Sequence, residues 1–69
     1  MGDVVKGILE VLLQKGEVRL VELTTLLKVS EESLRDAINT LENLGLVNVE
    51  RSNDLLVRFT DDARKLLSR

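Results

Sequence analysis

Residues 20–47 read LVELTTLLKVSEESLRDAINTLENLGLV, and this stretch predicts two helices separated by a tight turn. The spacing of apolar residues indicates a first helix over 20–28 and a second over about Glu31–Leu44. Ser30 is a favourable N-cap for the second helix, because its hydroxyl can accept a hydrogen bond from a first-turn amide. The residues expected to face inward are Leu20, Leu23, Leu26, Leu27, Leu34, Ala37, Ile38, Leu41 and Leu44.

A further helix is expected before this stretch. The apolar positions of residues 3–15 span roughly 200° of the helix circumference, which is wider than an ordinary amphipathic stripe. One interpretation is a central helix that packs on two sides, and the other is that part of this face contacts a partner or a second copy. The candidate residues for that dimer or partner contact are Val5, Leu9 and Leu13. Gly16 predicts the end of the helix, and residues 17–19 fit a short strand or an extended link.

A β-hairpin and a last helix are expected after Gly45, which ends the second helix of the pair. Residues 46–51 and 55–60 alternate in polarity, and the Ser-Asn-Asp sequence at 52–54 has turn chemistry. Thr60 is expected to cap the last helix. The inward residues expected in this part are Val47, Val49, Leu55, Val57, Phe59, Ala63, Leu66 and Leu67.

The composition argues against catalysis and metal binding. The chain has 69 residues, no cysteine and no histidine, so it lacks the thiolate and imidazole ligands of transition metals. Histidine is also the common acid–base group at neutral pH. The adjacent carboxylates Asp61 and Asp62 would point about 100° apart on a helix and would not converge on a substrate. We therefore expect no enzyme activity, no cofactor and no metal.

The sequence shows no sign of a membrane association. No apolar run approaches the roughly 20 residues that a bilayer requires. The ends carry no secretory signal, and the residues after Met1-Gly2 lack the Ser or Thr of a myristoylation site. A cytoplasmic location is therefore expected.

The stretch 20–47 resembles the helix-turn-helix core of winged-helix proteins. Its closing Asn-Leu-Gly-Leu-Val resembles the connection from recognition helix to wing, and residues 60–67 resemble the helix after the wing in MarR-like regulators, small prokaryotic or archaeal DNA-binding domains. The resemblance implies an α+β, mostly α fold: a winged helix-turn-helix with a three-helix core, a β-hairpin wing and a short C-terminal helix. Residues 1–69 would form one such domain, with the helix-turn-helix at about 20–44 and the wing at about 46–60.

Lys28 departs from the pattern of these families. They often have glycine at this position of the turn, because one residue there adopts a left-handed conformation. If lysine keeps that conformation, the cost is about 1 kcal/mol.

The resemblance implies double-stranded DNA as the partner, in a transcriptional regulator that acts as a homodimer. Helix 31–44 would lie in the major groove and hairpin 46–60 on the backbone or in the minor groove. Asn39 suits adenine, and Arg35 suits guanine or a phosphate. The two wing arginines either grip the backbone or form a solvated face that protects an edge strand. The candidate nucleic-acid-binding residues are Ser33, Arg35, Asp36, Asn39, Thr40, Asn43, Arg51, Asn53 and Arg58.

The charge of the chain favours a different partner. The net charge is −2, and helix 31–44 contains four acidic residues against one basic residue. Neutralisation of phosphates by Lys and Arg supplies most non-specific DNA affinity. Glu32 and Asp36 lie on the ridge expected to meet a ligand, where they favour a basic protein partner. The alternative function is therefore a protein–protein interaction module of a larger complex, in which the acidic helix does not enter DNA.

Overall fold

The computed structural model describes residues 2–67, and within this range it contains four helices and three strands. Their order confirms the predicted α+β, mostly helical architecture. That residues 1–69 form a single domain stays a prediction. The elements are α1 (Gly2–Lys15), β1 (Glu17–Arg19), α2 (Leu20–Leu27), α3 (Glu31–Asn43), β2 (Val47–Arg51), β3 (Leu55–Phe59) and α4 (Asp61–Leu67).

The three strands form an antiparallel sheet in the order β1-β3-β2. Val57 is at the centre of β3, where it is opposite both Val18 of β1 and Val49 of β2. Residues 17–19 are thus a paired strand, which decides between the two interpretations of that segment. Because β1 pairs with the returning strand of the wing, the sheet ties the wing to the helices.

The core lies between this sheet and the first three helices, and Ala63 of α4 also belongs to it. Since the sequence has one aromatic residue, aliphatic side chains fill most of it. Gly7 allows α1 and α2 to approach closely, because a Cβ at this position would lie 3.0 Å from a methyl carbon of Leu27. The buried hydrophobic residues are Ile8, Leu12, Val18, Leu20, Leu23, Leu34, Ala37, Ile38, Leu41, Val47, Val57, Phe59 and Ala63.

The turn between α2 and α3 has the geometry expected from the sequence. Lys28 adopts the left-handed conformation, with φ 56° and ψ 43°, and its N–H donates to the Thr24 carbonyl at 3.0 Å. The Ser33 N–H then donates to Ser30 Oγ at 3.1 Å, so Ser30 caps α3 as predicted. Gly45 follows α3 with a φ of 78°.

The prediction that Leu26, Leu44, Leu66 and Leu67 face inward is wrong, because 46–68 % of each residue is exposed. Leu26 lies 60° around α2 from Leu23, further from the buried side at about 100° per residue. Leu44 is the C-cap of α3 and is already outside the helix. On α4, Ala63 alone of the three predicted residues is buried.

The helix α1 packs against α2, α3 and β1, which supports the interpretation of a central helix. Val5 and Leu9 are half-buried at its edge, whereas Leu13 is 59 % exposed. No helix within residues 2–67 has the length and apolar character needed to cross a membrane.

Candidate nucleic-acid interface

The orientation of α3 is fixed by its buried stripe. Leu34, Ile38 and Leu41 are 0–1 % exposed, so the opposite ridge of the helix must point to solvent. Ser30 fixes where the helix begins. The exposed residues of α3 include all six candidates that the sequence placed there, namely Ser33, Arg35, Asp36, Asn39, Thr40 and Asn43.

Two of these candidates use their hydroxyl groups within the protein. The Ser30 hydroxyl donates to Ser33 Oγ at 3.0 Å, as part of the cap of α3. The Thr40 hydroxyl donates to the Asp36 carbonyl one turn earlier, at 3.0 Å. Thr40 therefore has its hydroxyl proton committed to its own helix and keeps acceptor capacity, whereas the Ser33 hydroxyl accepts and can still donate.

The side chain of Arg35 is bound within its own helix. Its Nε and Nη2 both donate to Glu31 Oε2, at 3.0 and 2.8 Å. The two residues are four positions apart, so their side chains are neighbours on the helix surface. About half of each side chain is exposed, and solvent screens the pair. Arg35 therefore points back toward the N-terminus of α3.

Arg51 connects the wing to α3. Its Nη2 and Nη1 donate to the two carboxylate oxygens of Glu42, at 2.8 and 3.2 Å. These hydrogen bonds lower the pKa of Glu42 from its ordinary value of 4.5 and raise the pKa of Arg51. Both groups are thus charged at neutral pH, and the pair holds the end of β2 beside the last turn of α3.

Arg58 lies between two carboxylates of neighbouring strands. It is directly opposite Glu17 in the pairing of β1 with β3, and its Nη2 is 3.5 Å from Glu17 Oε1. The same nitrogen is 3.7 Å from Glu50 Oε1 on β2. Because β3 is the central strand of the sheet, Arg58 does not protect an edge strand. Its exposed guanidinium remains able to reach a phosphate.

Five exposed side chains of the interface, three asparagines and two acids, have no hydrogen-bond or ion-pair partner in the part of the chain that the structure describes. Among residues 2–67, the exposed amides of Asn39, Asn43 and Asn53 make no side-chain hydrogen bond, and Glu32 and Asp36 form no ion pair. An amide carries both a donor and an acceptor, which is the pattern needed to contact the edge of an adenine. The two free carboxylates repel a phosphate at the same ridge.

A groove of about 790 Å³ lies between α1 and the exposed ridge of α3. Its apolar part includes Val5 and Leu9, two of the predicted partner contacts. Leu13, the third, borders a separate hollow formed with Phe59 and Leu67. The structure thus divides the predicted contact between two places. The residues around the groove are Val4, Val5, Lys6, Leu9, Ser33, Asp36, Ala37, Asn39 and Thr40.

Sequence reasoning did not identify Glu42 or Glu17 as partners of the wing arginines. Glu42 and Arg51 are nine positions apart and belong to different elements, so no helical or strand period relates them. The strand pairing that brings Glu17 opposite Arg58 joins residues 41 positions apart. Within residues 2–67 no group of His, Cys, Asp or Glu side chains is arranged to hold a metal ion.

The helix-turn-helix, the hairpin and the three-stranded sheet together define a winged-helix domain. The family model of the TFIIE alpha subunit matches residues 1–65. The chain therefore belongs to the TFIIE alpha subunit family. The predicted resemblance to winged-helix, MarR-like domains is confirmed as well. A search of curated proteins finds no match.

Solved structures with this fold include several regulators. The chain is 24 % identical to a transcriptional regulator homologue from Pyrococcus horikoshii OT3, with a TM-score of 0.84 over 97 % of this chain and 71 % of that one. It is 25 % identical to BpsR of Bordetella bronchiseptica, with a TM-score of 0.79 over 94 % and 48 %. It is 22 % identical to reduced AbfR bound to DNA, with a TM-score of 0.82 over 93 % of this chain and 49 % of that one. The chain spans about half the length of AbfR and BpsR.

Proposed function

We propose that this chain is a DNA-binding winged-helix domain of a transcriptional regulator. The helix α3 lies in the major groove and the wing, residues 46–60, lies on the DNA backbone. The observation that carries the proposal is the exposed ridge of α3, where Asn39 and Asn43 present exposed amides and Arg51 of the wing lies beside the same helix. Among similar structures, BpsR is a protein with regulated DNA binding, and AbfR has been solved on DNA.

The proposed contacts divide into two groups. Asn39 and Asn43 contact base edges, with Ser33 and Thr40 at the sides of the ridge. Arg35, Arg51 and Arg58 contact phosphates, because their exposed guanidinium groups are compatible with bidentate binding of an anion. Asn53 lies in the turn of the wing, where it can follow the backbone. Asp36 accepts from a cytosine amino group rather than from a phosphate.

The test is fluorescence anisotropy of a labelled DNA duplex at low and at near-physiological salt. We expect binding that weakens steeply as salt increases. Arg35→Ala and Arg58→Ala should each weaken binding and reduce the slope of log K against log salt by about one. Lys65→Ala is the matched control, because it removes one positive charge from an exposed position of α4 that does not line the hollow beside Leu13. Equal affinities for the wild type and the two interface variants would contradict the assignment.

A protein-interaction module is the second candidate, and the exposed carboxylates of Glu32 and Asp36 favour it. Its partner would be a basic protein that covers the acidic ridge. The similarity to DNA-bound regulators does not favour this function. Absence of DNA binding even at low salt, together with retention by a basic partner, would establish it in place of DNA binding. Absence of catalysis also stays a prediction.

A dimer would serve the proposed function, because one module of this size buries little DNA surface. We propose that a second copy packs against α1 and α4, where Leu13 and Leu67 are exposed beside Phe59. Two domains related by a twofold axis would then contact two half-sites.

A further inference from the structure

The strongest candidate for control of DNA affinity is the ion pair between α3 and the wing. A carboxylate and a phosphate each use two oxygens to accept from the same two N–H groups of a guanidinium, so they compete for one position. We propose that Glu42 occupies the phosphate-binding position of Arg51, so that DNA must displace this carboxylate before the wing can engage the backbone. This inference rests on the proposed function, because it assigns a regulatory residue to the same interface.

The geometry of the pair is that of a bound anion. Two nitrogens of Arg51 donate to two different oxygens of Glu42, at 2.8 and 3.2 Å. This fork-to-fork arrangement is the one that a phosphate would adopt. Glu42 is in the last turn of α3 and Arg51 is the last residue of β2. The pair therefore spans the two elements that are proposed to contact DNA.

Glu42 is better placed for this role than the other acids near the arginines. Glu31 and Arg35 belong to one helix, so their pair does not restrain the wing. Arg58 divides its contacts between two carboxylates at 3.5 and 3.7 Å, which are longer than the contacts of Arg51. The side chain of Glu42 is 34 % exposed, less than that of any other acid in these pairs. Its lowered pKa keeps it ionised and able to compete at neutral pH.

The expected strength of this competition is modest. Half of the Arg51 side chain is exposed, and ion pairs of this kind are weak in water. DNA phosphates, which act several at a time, can displace the carboxylate. Glu42 should then lower DNA affinity by a few-fold rather than prevent binding, and it should act through Arg51 more than through the general charge of the helix.

A double-mutant cycle separates these two effects. DNA affinity is measured by anisotropy over a series of salt concentrations for the wild type, Glu42→Gln, Arg51→Ala and the double variant. We expect Glu42→Gln to bind about three-fold more tightly. The gain should shrink in the Arg51→Ala background. Glu32→Gln is the matched control, since it removes one charge from α3 at a residue that forms no ion pair within residues 2–67, and its gain should not depend on Arg51.

A measurement without DNA tests the pair itself. The Glu42 carboxyl is titrated by NMR in the wild type and in Arg51→Ala. We expect its pKa to rise toward 4.5 when the guanidinium is removed. An unchanged titration would show that the pair does not form in solution, and this result would overturn the inference.

The remaining outcomes distinguish this inference from the proposed function. If the wild type binds DNA and Glu42→Gln binds it equally well, Glu42 does not compete and only the inference fails. If Glu42→Gln gains equally with and without Arg51, the effect is general charge and the inference also fails. If the wild type and Glu42→Gln both fail to bind at low salt, the proposed function fails and the inference fails with it.

Discussion

The Thr60 hydroxyl donates a hydrogen bond to the Gly45 carbonyl, 2.8 Å away, and so joins the two ends of the wing. The same oxygen accepts from the Ala63 N–H at 3.1 Å and caps α4. The Thr60 N–H in turn donates to the Leu46 carbonyl at 3.0 Å. One residue thus closes the wing at its base and starts the final helix.

We expect Thr60→Val to destabilise the protein, because the isosteric side chain leaves both the Gly45 carbonyl and the Ala63 amide without this partner. Loss of a helix cap typically costs about 0.5–2 kcal/mol, and we expect the upper half of this range. Urea unfolding measures the change. Thr60→Ser keeps the hydroxyl and should retain most of the stability. A Thr60→Val variant as stable as the wild type would show that these hydrogen bonds do not stabilise the fold.

A second prediction concerns the left-handed residue between α2 and α3. Lys28 has a φ of 56°, and this conformation costs an ordinary residue about 1 kcal/mol. Lys28→Gly should therefore leave the free energy of unfolding unchanged or raise it by up to about 1 kcal/mol, since glycine adopts this conformation without strain. In urea, the control Lys6→Gly in the interior of α1 should lose about that amount. A clear loss in Lys28→Gly would show that lysine is not strained there.

The ends of the helices could be predicted from the sequence better than the burial of their last residues. Ser30, Gly45 and Thr60 were identified correctly because caps and stops depend on the chemistry of one residue and its nearest neighbours. Leu44 and Leu66 were misplaced because burial depends on how far the neighbouring elements extend. A helical period continues past the last residue that another element covers, and the sequence does not mark that point.

The interface was predictable to a similar extent. The positions of Asn39 and Asn43 on the exposed ridge follow from the helical period alone. The partners of Arg51 and Arg58 do not, because ion pairs between elements depend on the register of the sheet and on the angle of the wing. The sequence therefore identified the residues of the surface, and the structure shows which of their charges are already neutralised.

A third prediction concerns pH. The Lys15 ammonium donates to Glu22 Oε2 at 2.8 Å, and the Arg19 N–H donates to Glu22 Oε1 at 3.1 Å. Both contacts lower the pKa of Glu22 from 4.5, the Lys15 hydrogen bond most. Because the folded pKa lies below the unfolded one, the stabilisation is present above about pH 4.5 and is lost as the pH falls through the folded value.

Glu22→Gln should therefore reduce the loss of stability on acidification below about pH 5. Urea unfolding over a pH series, compared with the wild type, measures this difference, which should be small because Glu22 is on the surface. Glu10→Gln is the control, since it removes an exposed glutamate that forms no ion pair within residues 2–67. A pH dependence changed equally by both substitutions would contradict a specific role for the contacts with Lys15 and Arg19.

The last prediction compares two adjacent leucines of α1. Leu12 is 1 % exposed in the core, whereas Leu13 is 59 % exposed beside Leu67. Leu12→Ala should cost about 2–5 kcal/mol in the free energy of unfolding, because it creates a cavity. Leu13→Ala removes a similar side chain from the surface and should leave the stability of the monomer nearly unchanged.

If the proposed dimer forms there, Leu13→Ala should shift the sedimentation equilibrium toward the monomer without loss of fold. If self-association is unchanged in this variant, Leu13 is not part of the dimer interface. If the wild type is purely monomeric, the proposed dimer does not form and a single domain would have to bind DNA.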